Sequence, residues 1–258
     1  FLGRLQGAHA TNRLYEVDMR LRPSGGQGLL VSSRTGYRDY HQRGLPIWER
    51  LALLSTRAVA NIRVGESKLD PEVLGREVMH EVLPGSVFGP QTEAGEVSKA
   101  LRALKQRIEV ELARETRTHK DAKSGRGACL ELELLVSALQ LEHANPPPKD
   151  GTEDPVAARL RSRNVLHALS ALEEASVLDE GEAEHLARSY RFMRRFLNRL
   201  RMLSGRGGAH NPDRFDLNSP RLGALARRMG LASVDALLDD YRRHSDCVRD
   251  AFDRHLPA

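Results

Sequence analysis

The stretch with the densest chemical content is Leu14-Tyr15-Glu16-Val17-Asp18-Met19-Arg20-Leu21-Arg22-Pro23-Ser24-Gly25. Read as a strand over residues 14–22, it sends alternate side chains to opposite faces. One face then carries Glu16, Asp18, Arg20 and Arg22, and the other carries Tyr15, Val17, Met19 and Leu21. Two carboxylates followed by two guanidiniums suit phosphoryl or nucleotidyl transfer. A carboxylate holds a divalent metal that neutralises phosphate oxygens, and arginines beyond it bind phosphate in bidentate fashion. Gly25 and Gly28 let the backbone come close and offer N–H groups to an anion. The same alternation also describes an edge strand with a solvated charged face, and alternation alone leaves the two readings even. The run Arg-Leu-Arg-Pro into a Gly-rich turn tilts the balance toward chemistry.

Other residues carry weaker signals. Glu131 and Glu133 are two apart, which on a helix turns them to different sides. The expectation is one buried carboxylate and one solvated one, with Gly125 and Gly127 before them either a phosphate-binding helix start or a plain loop. The ten histidines show no ligand spacing with one another or with cysteine. Cys129 and Cys247 form no metal spacing, no disulfide framework and no activated nucleophile. Ser204-Gly205-Arg206-Gly207-Gly208 lacks the Lys-Ser/Thr ending of a phosphate loop and reads as a linker that ends a helix. Trp48, the one tryptophan, sits at a helical apolar position, and packing is its expected role.

The elements that must position these groups follow from periodicity. Residues 14–22 and 28–33 read as strands joined by Ser24–Gly28, and residues 47–60 as a helix with Ile47, Leu51, Leu54 and Ala58 near one face. Residues 61–95 are mixed and rich in Gly and Pro, the best place for a boundary. From Glu96 the pattern is helical, with Val97, Leu101, Leu104, Ile108 and Leu112 at three- and four-residue steps. Further helices are expected from the glycines at 125 and 127 through Leu141, and from Val156 to Ala175. A long one follows Asp179, whose capping box is completed by Glu182, along the stripe Ala183, Leu186, Tyr190, Met193, Leu197, Leu200 and Leu203. A short helix opens at Ser219-Pro220 and stops at Gly230. The last is capped by Ser233 and turns Leu237, Tyr241, Val248 and Phe252 inward. The fold class is therefore α+β and mostly α. Residues 1–90 hold a domain with a few antiparallel strands, and residues 91–258 form an all-helical bundle.

Bulk properties narrow the class. The chain has 258 residues and a formal net charge of +5. Its sequence pI of about 9.5 suits an anionic ligand such as a nucleotide. The basic residues are interleaved with acids, which argues against a nucleic-acid stripe. No apolar run approaches the ~18 residues of a membrane span, and a reducing cytoplasm is the expected compartment. The opening Phe1-Leu2 lacks a Met and lies inside an apolar pattern, so a truncated front is expected.

Tyr15-Glu16-Val17-Asp18-Met19-Arg20-Leu21-Arg22-Pro23 resembles the signature of the glutamine synthetase adenylyltransferase family. So do Gly25, Gly28-Leu29-Leu30-Val31-Ser32-Ser33, Tyr37, Tyr40, Trp48-Glu49-Arg50-Leu51-Ala52-Leu53 and Arg57-Ala58-Val59-Ala60. The segment Asp121 to Leu134 is similar to the family's Gly-Gly stretch before an acidic helix. Arg161-Ser162-Arg163, Leu178-Asp179 and Tyr190-Arg191-Phe192-Met193-Arg194-Arg195 resemble its helical domain. The resemblance implies a polymerase-beta-type nucleotidyltransferase domain, here its carboxy-terminal part, followed by the bundle. The family's proteins carry two such halves, one attaching AMP to a tyrosine of glutamine synthetase and the other removing it by phosphorolysis. The resemblance implies Asp18 as a metal carboxylate, with Glu16 a weaker member of the catalytic cluster. It implies Arg20, Arg22, Gly25 and Gly28 at the nucleotide phosphates, Mg²⁺ as cofactor, ATP as substrate, and glutamine synthetase and the signal protein PII as partners. Two departures stand out. The family's Gly-Ser motif and aspartate pair precede the signature and are absent from residues 1–13, so this polypeptide alone is expected to be inactive. Ala128-Cys129 and Leu134 replace a glycine, an aliphatic residue and an aromatic, which weakens the case for close backbone approach at Gly127. A PII uridylyltransferase-related enzyme and a non-catalytic helical docking module are the rival readings.

Overall fold

The structure, a computed structural model, describes residues 18–19, 21–59, 70–89, 93, 95–148, 150, 152–204 and 211–257. The chain divides into two compact units, residues 1–90 and 91–258. The described residues are mostly helical, with one small antiparallel sheet among them.

In the first unit, α1 (Arg34–Gln42) starts where the Ser33 hydroxyl accepts the Gly36 N–H, and α2 (Ile47–Leu53) starts after Pro46. α3 (Pro71–Glu77) is capped by the Asp70 carboxylate on Glu72 N–H. It runs through a π turn (Val78–Val82) into α4 (Leu83–Phe88). Pro84 has no N–H to donate and its ring crowds the carbonyl one turn back, so the helix widens just before it. Glu77 ties α3 to α1: Arg34 Nε donates to its carboxylate at 2.8 Å, and Arg38 pairs with the other oxygen. Arg50 of α2, almost fully buried, donates to the Val87 carbonyl of α4 at 2.8 Å.

Several expectations for this unit are corrected. α1 lies between the expected strand 28–33 and the expected helix 47–60, α2 stops at Leu53, and the Gly- and Pro-bearing stretch from Pro71 to Phe88 is helical. Residues 60–69 lie outside the described set. Trp48 is 62% exposed, because α2 buries Glu49 and Arg50 instead.

The second unit comprises α5 (Glu96–Arg107), β1 (His119–Asp121), α6 (Cys129–His143), α7 (Pro155–Leu160), α8 (Val165–Glu174), α9 (Glu182–Ser204), β2 (Arg214–Asp216), α10 (Arg221–Met229) and α11 (Val234–His255). A π turn, Ile108–Ala113, extends α5. α9 packs on α8, α10 and α11, and α6 packs on α5, α8 and α11. Most of the expected inward stripes are buried: Val97, Leu101, Leu186, Met193, Leu197, Leu237, Val248 and Phe252 each expose 1% or less. Leu112 departs from its stripe at 60% exposed, where the π turn shifts the helix face. The caps also hold. Ser233 accepts the Ala236 N–H at 3.1 Å, the Glu182 carboxylate accepts the Asp179 N–H at 3.2 Å, and Gly230 ends α10 with φ +78°.

Two features correct the all-helical expectation. β1 and β2 pair antiparallel, His119 with Asp216 and Asp121 with Arg214. Three-residue strands are too short to show a period, so the pattern carries no trace of them. The sheet is held from one side by Phe215, which packs between Phe196 and Tyr241 with centroids 5.1 Å from each. The expected helix 156–175 is broken between α7 and α8. There Asn164 caps a new start by accepting the Leu166 N–H at 2.9 Å, and Gln140 binds the Leu160 and Ser162 carbonyls at 2.6 and 2.8 Å.

Candidate functional site

Of the expected strand 14–22, residues 14–17 and 20 lie outside the described residues, and the second expected strand, 28–33, is not formed. Residues 21–33 form bends around a single 3-10 turn, Gly25–Gln27. Of the expected apolar back, Leu21 is 46% exposed and Met19 half-buried, Tyr15 and Val17 lying outside the described residues; in the second expected strand Leu29 and Val31 are 80% and 81% exposed. A strand needs a neighbour to take its backbone groups, and none is present in this unit among the described residues. The backbone is satisfied from within. The Arg22 guanidinium donates to three carbonyls of its own loop: Gly28 at 3.2 Å through Nε, Gly26 at 3.3 Å, and Met19. Ser24 and Gly25 adopt left-handed conformations, φ 63° and 55°. The N–H groups of Gly25 and Gly28 bind the Arg22 and Gly25 carbonyls at 2.8 and 3.2 Å. A Cβ at Gly28 would lie 1.9 Å from the Pro23 oxygen, so the turn closes only around glycine.

Asp18 is exposed at the entrance to this loop. Glu16 and Arg20 lie outside the described residues. Behind the loop, Tyr40 donates its hydroxyl to buried Glu49 at 2.9 Å. Burial raises the Tyr40 pKa, as do the hydrogen bond and charge of Glu49, against a backbone hydrogen bond at Ser24 that lowers it. This links the Gly-rich turn to α1 and α2. An Arg guanidinium has five N–H donors, so three carbonyls leave part of the Arg22 fork for an anion.

The second unit contains a buried ionic network that the sequence reading did not identify. Lys105 of α5 is 2% exposed and Glu131 of α6 is 0% exposed. Lys105 Nζ lies 2.9 Å from the Glu131 carboxylate. It donates to the Ser124 and Gly125 carbonyls at 2.9 and 2.7 Å. Arg249 of α11 reaches Glu131 and Glu109 at 3.3 and 3.2 Å. The spacing of Lys105 from Leu101, four residues on the inward stripe, was the available signal.

Glu131 also accepts the Gly127 N–H at 3.0 Å, and the Leu130 N–H of α6 goes to the Lys123 carbonyl at 3.0 Å, so donors at this helix start are taken up within the protein. Glu133 faces away, accepting from Tyr190 Oη at 2.8 Å with Arg194 at 3.6 Å. The expected divergence of the two glutamates is present. The doubt about Gly127 is reversed: at φ +67° it abuts α11, and a Cβ would fall 2.0 Å from the Ser245 oxygen. Cys129 at the head of α6 is buried, and burial first, then the Glu133 charge, pushes its thiol up to about 12. It is no nucleophile.

Among the described residues no group of three or more His, Cys, Asp or Glu side chains is placed to hold a metal ion. No described helix is long and apolar enough to cross a membrane.

Comparison with known proteins divides along the same units. Residues 3–71 match the family model for glutamate-ammonia ligase adenylyltransferase, and residues 102–256 match that for PII-uridylyltransferase. The bifunctional glutamine synthetase adenylyltransferase/adenylyl-removing enzyme of Xanthomonas axonopodis pv. citri is 35% identical over 87% of this chain and 21% of its own length. That of Hahella chejuensis is 31% identical over 96% of this chain and 23% of its own, and that of Vibrio parahaemolyticus 29% over 93% and 23%. The chain thus spans about a fifth of the length of these relatives. With one adenylyltransferase-specific segment joined to a helical unit that the uridylyltransferase model describes, the chain belongs to the glutamine synthetase adenylyltransferase/adenylyl-removing enzyme family.

Proposed function

We propose that this chain forms part of a nucleotidyltransferase that attaches AMP from ATP to a tyrosine of glutamine synthetase, the companion half of the enzyme removing it. The observation that carries the reading is the segment from Asp18 to Gly28, closed on itself by Arg22, inside the stretch that matches the adenylyltransferase model. In the whole enzyme the tyrosine hydroxyl attacks the α-phosphorus and pyrophosphate leaves. This chain contributes positioning and charge. Arg22 holds the Gly-rich turn in shape, Asp18 stands exposed beside it, and Arg20 is assigned to the phosphates. Mg²⁺ is the ion such chemistry uses. The described residues bring it one carboxylate, Asp18, fewer than a hard divalent cation takes, and Glu16 is the second candidate. These 258 residues alone are therefore expected not to transfer AMP. Glutamine synthetase and PII are the proposed partners, and the cytoplasm the proposed compartment.

The test is Asp18→Asn in the full-length enzyme, read as transfer of labelled AMP to glutamine synthetase. The change keeps shape and removes charge, and a loss of about two to three powers of ten is expected, as for other preorganised electrostatic contacts. Normal turnover with unchanged Mg²⁺ dependence would return the segment to a solvated loop and favour a docking role. A second reading, uridylyl transfer to PII, is supported by the model matched at residues 102–256. UTP and PII in place of ATP and glutamine synthetase separate the two.

A further inference from the structure

Most arginines of the helical unit have a carboxylate partner. Arg188 pairs with Glu184, Arg201 with Asp213, Arg242 with Asp239 and Arg243 with Asp240. One stretch of α9 breaks this rule. Arg191, Arg194, Arg195 and Arg199 recur at three- and four-residue steps and so share a face. Arg228, in the last turn of neighbouring α10, joins them in lining one open groove of about 800 Å³. No carboxylate lines it. Arg194 pairs at 3.6 Å with Glu133, outside the lining, and Arg199 rests on the Met229 sulfur at 3.9 Å. Arg191, Arg195 and Arg228 have no ion-pair partner among the described residues.

Like charges at helical spacing repel and oppose the helix that carries them. Many arginines elsewhere in the unit are answered by an acid, whereas here five guanidiniums line one concavity and Arg191, Arg195 and Arg228 have none among the described residues. Arginine forks match the oxygen geometry of phosphate. The volume falls within the range of about 300–1,000 Å³ usual for small-ligand sites. We propose that the α9–α10 groove of the helical unit binds a small anion carrying two or more phosphate groups. Arg191, Arg195 and Arg228 hold the phosphates, and Leu166 and exposed Met202 offer an apolar wall to an organic body attached to them.

The probe is inorganic tripolyphosphate, titrated calorimetrically into the 258-residue chain. Binding is expected to weaken steeply with added salt, and Arg191→Gln/Arg195→Gln should weaken it at least tenfold. Arg242→Gln/Arg243→Gln removes the same charge from residues already paired and should leave binding within twofold. Arg195→Lys, which keeps charge and loses the fork, should fall between. Circular dichroism and melting temperature establish that each variant is folded. Absence of binding, or equal losses in the two double variants, would overturn the proposal. So would an acidic peptide that binds the groove more tightly than tripolyphosphate, which would assign it to a protein partner.

Discussion

Lys105 and Glu131 each lose their hydration inside the helical unit, a cost that their pairing offsets. Their 2.9 Å contact, the two carbonyls on Lys105 Nζ and the Gly127 N–H on Glu131 together satisfy both. Removing one partner leaves Glu131 with only Arg249 at 3.3 Å as a charged partner among the described residues, or Lys105 with only the more exposed Glu109 at 3.4 Å; breaking a buried pair costs up to about 3–5 kcal/mol, whereas replacing both with apolar groups is often nearly neutral. Glu131→Leu and Lys105→Met should therefore each lower the urea midpoint strongly. The double variant should recover much of the loss, and strictly additive losses would show that the two do not act as a pair. Cys129 yields a pH prediction. Its folded pKa of about 12 lies above the ordinary 9.0. The unfolded thiol therefore ionises first as pH rises, and the folded state binds the extra proton. Its contribution to stability is complete below about pH 9 and is lost as pH climbs toward 12. Urea midpoints measured from pH 8 to 11 should fall in wild type and fall less in Cys129→Ala. Parallel curves would remove the thiol from the account.

At the scale of elements, the joint between the 121–128 loop and α11 depends on Gly127. Its positive φ costs a residue with a Cβ about 1–2 kcal/mol, and the Ser245 backbone leaves that atom no room. Gly230, with φ +78° and open space around it, isolates the first effect. Gly127→Ala should thus cost clearly more than Gly230→Ala, and calorimetric melting of both would expose equal costs if the α11 contact were unimportant. What the sequence made legible follows from the same physics. Long helices were readable because a dozen or more residues repeat one stripe, as in α9 and α11. Ser233, Gly230 and Glu182 were readable because capping is local chemistry. β1 and β2 were hidden because three residues carry no period, and their pairing depends on Phe215 finding Phe196 across the fold. The expected strand 28–33 misled for a related reason: its apolar residues suggested an extended element, whereas strand formation needs a partner, and none stands beside it among the described residues. Of the candidate site, residue types were legible in Asp18 and Arg22, but the loop around Arg22 and the Lys105 network needed long-range geometry.

At the scale of the molecule, the helical unit contains what independent folding requires. An extensive apolar cluster draws on α6, α9, β2, α10 and α11, and the unit's buried charges pair within it. A domain of this length buries enough surface to be stable without staples. Its two ends are joined as well. Arg102, midway along α5, donates to the Leu256 carbonyl and pairs with Asp253 at 3.1 Å, and Leu256 is fully buried. Residues 93–258 produced alone should show a strongly helical circular dichroism spectrum and one cooperative thermal transition. Deleting residues 253–258 should lower that transition by several degrees, because Arg102 loses its acceptors and Leu256 leaves the core. A single buried leucine is worth about 1.5–3 kcal/mol, which in a domain of this size corresponds to a shift of several degrees. A broad, non-cooperative melt of the isolated unit would mean that residues 93–258 lack a self-sufficient core. An unchanged transition after the deletion would mean that the Arg102 contacts and Leu256 close nothing.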